Sequence, residues 1–357
     1  MVRKKILFCV EAMGGGVFTY IVDLANELVN QYDVYIAYAM RKQTPADFKK
    51  YFDKRIHLIS VNHFKRSISP YHDVCACFEL IKIAKNIAPD IIHLHSSKAG
   101  VIGRLAFRSQ SVPLFYTPHG YSFLMKNYSI PKRMMYRAIE RICAHTKCTT
   151  ISCSFGEHLE TLKMTKRAIY IDNGINIKTL QQEMDTLLSQ GVKTFPFTVF
   201  SIGRICHQKN PRLFNEIAEA LPDIRFLWIG DGELRNELSA KNIEVTGWVT
   251  RNEVLQYALS ADVFILPSLW EGLPISLLEM MYMKKPCIVS NVIGNRDVIN
   301  NGVNGFVCES KEEFAQSIRT IQKKYPHEFI EKAYAEICEH YNVTKMAEQY
   351  EQAYFSK

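Results

Sequence analysis

Glu271 and Glu279 stand eight positions apart in a segment that also contains a turn and a helix start, Leu269-Trp270-Glu271-Gly272-Leu273-Pro274-Ile275-Ser276-Leu277-Leu278-Glu279. Pro274 suits a first helical turn, where a missing N–H costs nothing. The apolar period of Ile275, Leu278 and Met283 carries the helix onward. Backbone N–H groups at Gly272, Leu273 and Ile275 then face the end of the preceding strand, Asp262-Val263-Phe264-Ile265-Leu266. The helix dipole adds partial positive charge at the same place. The chemistry this allows is anion binding with a carboxylate on either side to accept hydrogen bonds from sugar hydroxyls. A nucleotide sugar offers both phosphate and hydroxyls.

Other residues suit the same ligand. Arg204 and Lys209 flank a strand-to-helix loop, where a guanidinium and an ammonium can hold a diphosphate without metal. On the residues alone they read first as two surface cations. Gly14-Gly15-Gly16 lies between a strand and a helix and is not GxGxxG, so a close approach to phosphate and a plain turn both remain open. His119, in Thr117-Pro118-His119-Gly120, ends a strand with Tyr121 behind it, which sets it above the strand residues His93 and His95. Lys98 reads first as part of a helix start with Ser96 and Ser97, and second as a contact to acceptor phosphate. Ser152, Ser154, Asn173 and Gly174 read as turn residues. No convincing Asp-x-Asp or Cys/His spacing points to a metal, and the 10 scattered cysteines fit reduced thiols in cytoplasm.

The elements that must position these residues form two similar series. Strand patterns at 5–10, 33–39, 56–61, 90–95, 112–117 and 148–152 alternate with helical patterns at 17–30 and 74–86. After an irregular stretch, 176–196, strands at 197–202, 225–229, 244–245, 263–266 and 287–290 alternate with helices at 211–220, 233–240, 251–260, 274–283 and 311–324. Strands separated by helices imply right-handed parallel crossovers. The expected fold class is α/β, with two Rossmann-like doubly wound domains facing a cleft, and ligands at the carboxyl ends of the strands. Met346, Ala347, Tyr350 and Tyr354 give the final segment an amphipathic helical spacing.

A chain of 357 residues with 47% apolar and 22% charged residues is an ordinary globular composition, long enough for two cores. The start, Met1-Val2-Arg3-Lys4-Lys5-Ile6-Leu7-Phe8-Cys9-Val10, reads as a first strand rather than a signal peptide, since Glu11 breaks the apolar run. Charge is uneven: residues 1–180 hold 26 Lys and Arg against 13 Asp and Glu, whereas 181–357 hold 18 against 23. No nucleic-acid module is readable, so the basic half points to an anionic membrane surface. The segment Lys126 to Lys147 mixes Lys132, Arg133, Arg137 and Arg141 with Met134, Met135 and Tyr136. It reads equally as a membrane-surface helix and as an ordinary surface helix.

The spacing Glu271 to Glu279 resembles the E-x7-E signature of the retaining glycosyltransferases of family 4, whose members share the two-domain GT-B fold. His93-Leu94-His95-Ser96-Ser97-Lys98-Ala99-Gly100, Thr117-Pro118-His119-Gly120, Asn173-Gly174-Ile175-Asn176, Gly203-Arg204 with Lys209-Asn210-Pro211, Gly230-Asp231-Gly232-Glu233 and Gly302-Val303-Asn304-Gly305-Phe306 follow the family's order. The resemblance implies an acceptor-side domain over 1–175, a nucleotide-sugar domain over 176–339, and a final helix, 340–357, returning to the first. It implies catalytic roles for His119, Arg204, Lys209 and Glu271, and donor contacts from Gly15, Gly16, Gly203, Gly230, Trp248, Gly272, Leu273, Pro274, Ile275 and Glu279. Lys98 and Tyr121 fall on the acceptor side. The activity implied is metal-independent transfer from a nucleoside-diphosphate sugar, UDP-linked, without a further cofactor, to a lipid-linked or glycan acceptor in bacterial capsular or exopolysaccharide synthesis. The enzyme is expected in the cytoplasm, peripheral to the inner membrane, without nucleic-acid partners. A nucleotide-sugar 2-epimerase of similar fold and a non-catalytic nucleotide-sugar-binding subunit are the alternatives. Gly294-Asn295-Arg296-Asp297 departs from the family's Gly-Gly turn followed by Glu.

Overall fold

The computed structural model describes residues 3–41, 44–65, 67–192 and 194–355; Met1, Val2 and the last two positions of the segment 340–357 lie outside them. The chain divides into two compact units: unit 1 is Met1–Leu124, Tyr128–Gly174 and Val343–Lys357, and unit 2 is Met125–Asn127 and Ile175–Asn342.

Unit 1 runs β1 (Lys5–Met13), α1 (Gly15–Leu28), β2 (Asp33–Met40), β3 (His57–Ser60), α2 (Pro70–Ile87), β4 (Ile91–His95), α3 (Ser97–Ala106), β5 (Leu114–Thr117), α4 (Ile130–Cys143), β6 (Thr149–Ser152), α5 (Phe155–Leu162) and β7 (Ala168–Tyr170). The strands form one parallel sheet in the order β3-β2-β1-β4-β5-β6-β7. β4 and β5 are buried along their whole length, as parallel strands covered on both faces must be. One face packs on α1 and the chain's last helix through Tyr20, Leu24, Met346 and Tyr350. The other packs on α2 and α3 through Leu80, Ala84, Ile102 and Ala106.

Unit 2 runs α6 (Ile177–Gln190), β8 (Thr198–Ile202), α7 (Pro211–Ala220), β9 (Arg225–Ile229), β10 (Ile243–Val245), α8 (Arg251–Ser260), β11 (Val263–Leu266), α9 (Ile275–Tyr282), β12 (Cys287–Ser290), α10 (Asn295–Val298), β13 (Phe306–Cys308), α11 (Lys311–Lys323) and α12 (His327–Glu339). Its parallel sheet is ordered β10-β9-β8-β11-β12-β13. The last helix, α13 (Val343–Phe355), belongs to unit 1 and packs against α1.

The structure adds α10, β13 and α12, which the sequence pattern did not mark, and departs from that pattern at two further places in unit 2. The stretch read as irregular holds α6, started by the Asn176 side chain accepting from the Thr179 N–H and anchored by only two buried residues, Leu180 and Leu187. So narrow an apolar stripe hides the period. The helix expected over 233–240 is reduced to a short turn, Arg235–Glu237. Asn215 Oδ1 accepts the Ser239 and Ala240 N–H groups at 2.8 Å each, which draws that segment out of a helical ladder. Among the described residues no helix is long and apolar enough to cross a membrane, and no group of three His, Cys, Asp or Glu is placed to hold a metal ion.

Candidate active site

In unit 2 the strand β11 delivers Ser268 to Gly272, and α9 leaves from Pro274. Pro274 is the cap rather than the first helical residue: it is extended, and its carbonyl accepts from Leu277 and Leu278. The first-turn N–H groups therefore begin at Ile275, at the end of an eight-residue helix. The turn is braced from behind. A Cβ on Gly294 would come within 2.2 Å of the Gly272 carbonyl oxygen, so the loop that departs from the family pattern presses its backbone on the turn.

Glu271 is buried and both its oxygens are met. Lys209 Nζ lies 2.8 Å from Oε1, the Ser268 hydroxyl donates to the same oxygen at 2.7 Å, and Gln208 Nε2 donates to Oε2 at 3.0 Å. Gln208 also donates to the Trp270 carbonyl and accepts from the Leu269 N–H, binding the loop after β8 to the loop after β11. Thus the structure brings Lys209 and Glu271 together, and adds Ser268 and Gln208, which carried no sequence signal. Arg204 stands apart from this pair, its nearest carboxylate being Glu233 at 3.9 Å.

Glu279 faces Arg251, the first residue of α8. The guanidinium takes both oxygens, at 2.7 and 3.0 Å, and reaches Glu183 of α6 at 3.3 Å. Burial opposes the guanidinium charge, but Glu279 and Glu183 more than offset it and raise the Arg251 pKa.

Gly203 and Gly230 have positive φ, and Gly230 packs directly on the Gly203 backbone. A Cβ on Gly230 would meet the Gly203 carbonyl oxygen at 2.3 Å, and the Trp228 indole donates to that oxygen. Trp248 stands well exposed on the turn after β10, next to Gly247, which bridges Gly230.

In unit 1 the sequence candidates collect at the carboxyl ends of β1, β4 and β5. Gly15 has φ +57°, which favours glycine, and neither Gly15 nor Gly16 has an atom within 4 Å of where a Cβ would stand. No packing contact there demands glycine. His119 also has positive φ, lies with Nε2 3.2 Å from His95 Nδ1, and meets the edge of the Tyr20 ring. His93 bonds Tyr354 and Thr117 through its two ring nitrogens. Burial pushes the His119 pKa down to about 3 and holds His93 and His95 well below the usual imidazole value, so the three rings are neutral near pH 7. The Gly120 N–H donates to Glu157, fixing the turn. Lys98 is paired with Asp73 at 2.7 Å and donates to the Ser67 carbonyl. Tyr121, expected on the acceptor side, is a core residue instead. It is 1% exposed, its hydroxyl bonds Thr161, and its ring stacks on Phe123.

Comparison with known proteins fits this geometry. Residues 14–179 match the family described as Glycosyltransferase Family 4, and residues 196–324 match Glycosyl transferases group 1. An Escherichia coli protein named UDP-Gal:alpha-D-GlcNAc-diphosphoundecaprenol alpha-1,3-galactosyltransferase is 33% identical over 291 residues, 72% of each chain. The Staphylococcus aureus capsular polysaccharide biosynthesis glycosyltransferase CapM is 25% identical over 298 residues, 78% of this chain and 77% of its own. Among solved structures, sucrose-phosphate synthase from Thermosynechococcus elongatus superposes with a TM-score of 0.84 at 16% identity, covering 99% of both chains. Anabaena HepE in complex with UDP and glucose superposes with a TM-score of 0.79 at 17% identity, covering 99% of this chain and all of its own. The epimerase alternative finds no support among these relatives.

Proposed function

This chain belongs to glycosyltransferase family 4 and is a glycosyltransferase of the two-domain GT-B fold, and from that premise we propose that it moves a sugar from a UDP-linked donor, with retention of configuration, to a lipid-linked saccharide diphosphate at the cytoplasmic membrane face. The observation that carries the donor side is the pairing of Lys209 with the buried Glu271 in the turn that leads to α9. Arg204, Lys209 and the N–H groups at that helix start stabilise the leaving diphosphate, the kind of electrostatic term that usually dominates such catalysis. Glu271 orients sugar hydroxyls, and Glu279 takes the ribose. Trp248 and the Gly203–Gly230 loops belong to the nucleotide side. His119, a neutral imidazole, serves as a hydrogen-bonding group near the transferred sugar rather than as a cation. The acceptor hydroxyl attacks from the leaving-group face, and the departing phosphate helps to take its proton.

The UDP donor is supported by the donor named for the Escherichia coli relative and by the UDP bound to HepE. The lipid-linked acceptor is supported by that relative's diphosphoundecaprenol acceptor and by the acceptor named for a Campylobacter jejuni relative, N,N'-diacetylbacillosaminyl-diphospho-undecaprenol. The test is release of nucleoside diphosphate from UDP-sugars with and without an undecaprenyl-diphosphate saccharide, in EDTA. Release that needs the acceptor and persists in EDTA is expected. Equal release without acceptor, or loss in EDTA with rescue by magnesium, overturns the transfer or the metal-independent part.

A further inference from the structure

A neutral imidazole donates from one ring nitrogen and accepts at the other, so the place of its proton decides what a histidine offers a ligand. In unit 1 two such rings meet. His95 is the last residue of β4 and fully buried, and His119 stands two residues beyond β5, the neighbouring strand. Their rings lie within 21° of parallel, with His95 Nδ1 3.2 Å from His119 Nε2. Two ring nitrogens so close share one proton: one donates and the other accepts.

The far nitrogen of His95 decides the direction. His95 Nε2 is buried and has no hydrogen-bond partner among the described residues. If His119 were the donor, the His95 proton would sit on Nε2 as a buried N–H without an acceptor. If His95 donates from Nδ1, Nε2 is a bare nitrogen, and an unmet acceptor is tolerated more readily than an unmet N–H. A charged ring would carry both protons, but burial holds both pKa values well below the usual imidazole range.

His95 is also held in place. Its ring packs on Phe8 and His93, with centroids 4.9 and 4.0 Å away, and His93 is tied at both nitrogens to Tyr354 and Thr117. The backbone beside His119 is fixed separately. Glu157, fully buried, takes the Gly120 N–H at 2.7 Å and the Cys153 N–H at 2.9 Å. His119 therefore accepts at Nε2 from within the core and carries its proton on Nδ1. That nitrogen makes no hydrogen bond to any described residue, and His119 is partly exposed.

We propose that His95 is a positioning residue, which donates to His119 Nε2 and so fixes His119 as an Nδ1–H donor to a hydroxyl oxygen of the transferred sugar. This deepens the reading of His119 given above and rests on it. A nitrogen that already carries a proton cannot take another and stay neutral, so His119 is not the base for the attacking hydroxyl. The departing phosphate keeps that task.

The test uses the full chain and two variants. His95→Phe keeps a packed ring and removes the donor, whereas the amide N–H of His95→Asn can stand where Nδ1–H stood. Two-bond nitrogen–proton spectra of the isotope-labelled parent chain, assigned by the signals lost in His95→Asn and His119→Asn, should show protons on Nδ1 of both rings. In His95→Phe, His119 should relax to a mixture of tautomers. With a UDP-sugar and an undecaprenyl-diphosphate saccharide, His95→Phe should lower kcat about tenfold and leave UDP affinity unchanged. His95→Asn should recover most of that rate. Added to His119→Asn, His95→Phe should slow transfer no further, because its effect passes through His119.

A proton on His119 Nε2, or an unchanged His119 tautomer in His95→Phe, overturns the assignment. So do losses from His95→Phe and His119→Asn that multiply, or a His95→Asn chain as slow as His95→Phe. Should His95→Phe fail to fold, the parent-chain spectra and His95→Asn still decide. A parent chain that transfers nothing overturns the functional reading, while the spectra decide separately whether His95 sets the His119 tautomer.

Discussion

In unit 2 the oxygens of Glu271 and Glu279 are met by cations or by side-chain donors, whereas in unit 1 the rings of His93, His95 and His119 are neutral and meet hydroxyls and each other. The first arrangement holds charge in fixed places before any ligand arrives. The second presents orientable hydrogen-bonding groups in a region that excludes charge. A diphosphate suits the first, because Lys209 and Arg204 can share it with little reorganisation. A sugar or an attacking hydroxyl suits the second. The glycines divide in the same way. Gly230 and Gly294 are required by backbone packed against backbone, but Gly15 and Gly16 face open space.

The comparison breaks most severely at Lys209. Lys209→Ala leaves the Glu271 carboxylate buried without its cation and should cost about 3 kcal/mol in stability, read by urea unfolding, with transfer at least a hundredfold slower. Lys209→Met with Glu271→Gln should recover most of the stability and none of the activity. If single and double variants unfold alike, the pair is not the source of the charge placement.

Arg204 separates binding from folding. It is partly exposed and only 3.9 Å from Glu233, so Arg204→Ala should leave the unfolding midpoint in place. Loss of a charge-assisted contact to UDP should cost about 1.5–3 kcal/mol, roughly 10- to 100-fold in affinity. Titration calorimetry with UDP would expose an unchanged affinity, and with it the end of the clamp.

A smaller effect is expected at Arg251, whose side chain is a third exposed. Arg251→Ala should cost about 1 kcal/mol of stability. It should also raise the donor KM about tenfold with kcat nearly kept, since Glu279 loses its orientation rather than its charge. Partial recovery in Arg251→Lys would separate positioning of Glu279 from simple loss of packing.

The mildest test concerns pH. The folded His119 pKa, about 3, lies below the unfolded value, so its contribution to stability is full above about pH 6.5 and is lost as the pH falls toward 3. His93 and His95 act in the same direction. Melting temperatures should therefore decline below about pH 6.5, and the decline should soften in His119→Asn. The activity profile should show no limb near pH 6.5 that His119→Asn removes. A limb of that kind would mean that His119 works as a cation.

The site was legible where its causes are local. A strand end, a turn and a helix start lie within a few residues around Gly272, and two alternating series of buried strands announce two sheets. The partners that complete the site were not legible. Arg251 and Glu279 are 28 positions apart, Gln208 and Glu271 are 63 apart, and His95 and His119 are 24 apart. Pairs at such distances leave no periodic trace in the chain. Tyr121 misled for another reason: the family resemblance put it on the acceptor side, but its ring stacks on Phe123 in the core. α6 escaped notice because Leu180 and Leu187 alone define its inner face.

The placement of α13 sets an order of assembly during synthesis. Tyr350 joins hydroxyls with Tyr20, and Tyr354 bonds His93, so the histidine cluster near residue 119 is finished by side chains made after all of unit 2. While the ribosome is still translating, unit 2 can close its own sheet, but unit 1, begun first, must wait with part of its core uncovered until α13 emerges. The half that starts the chain is the last to mature.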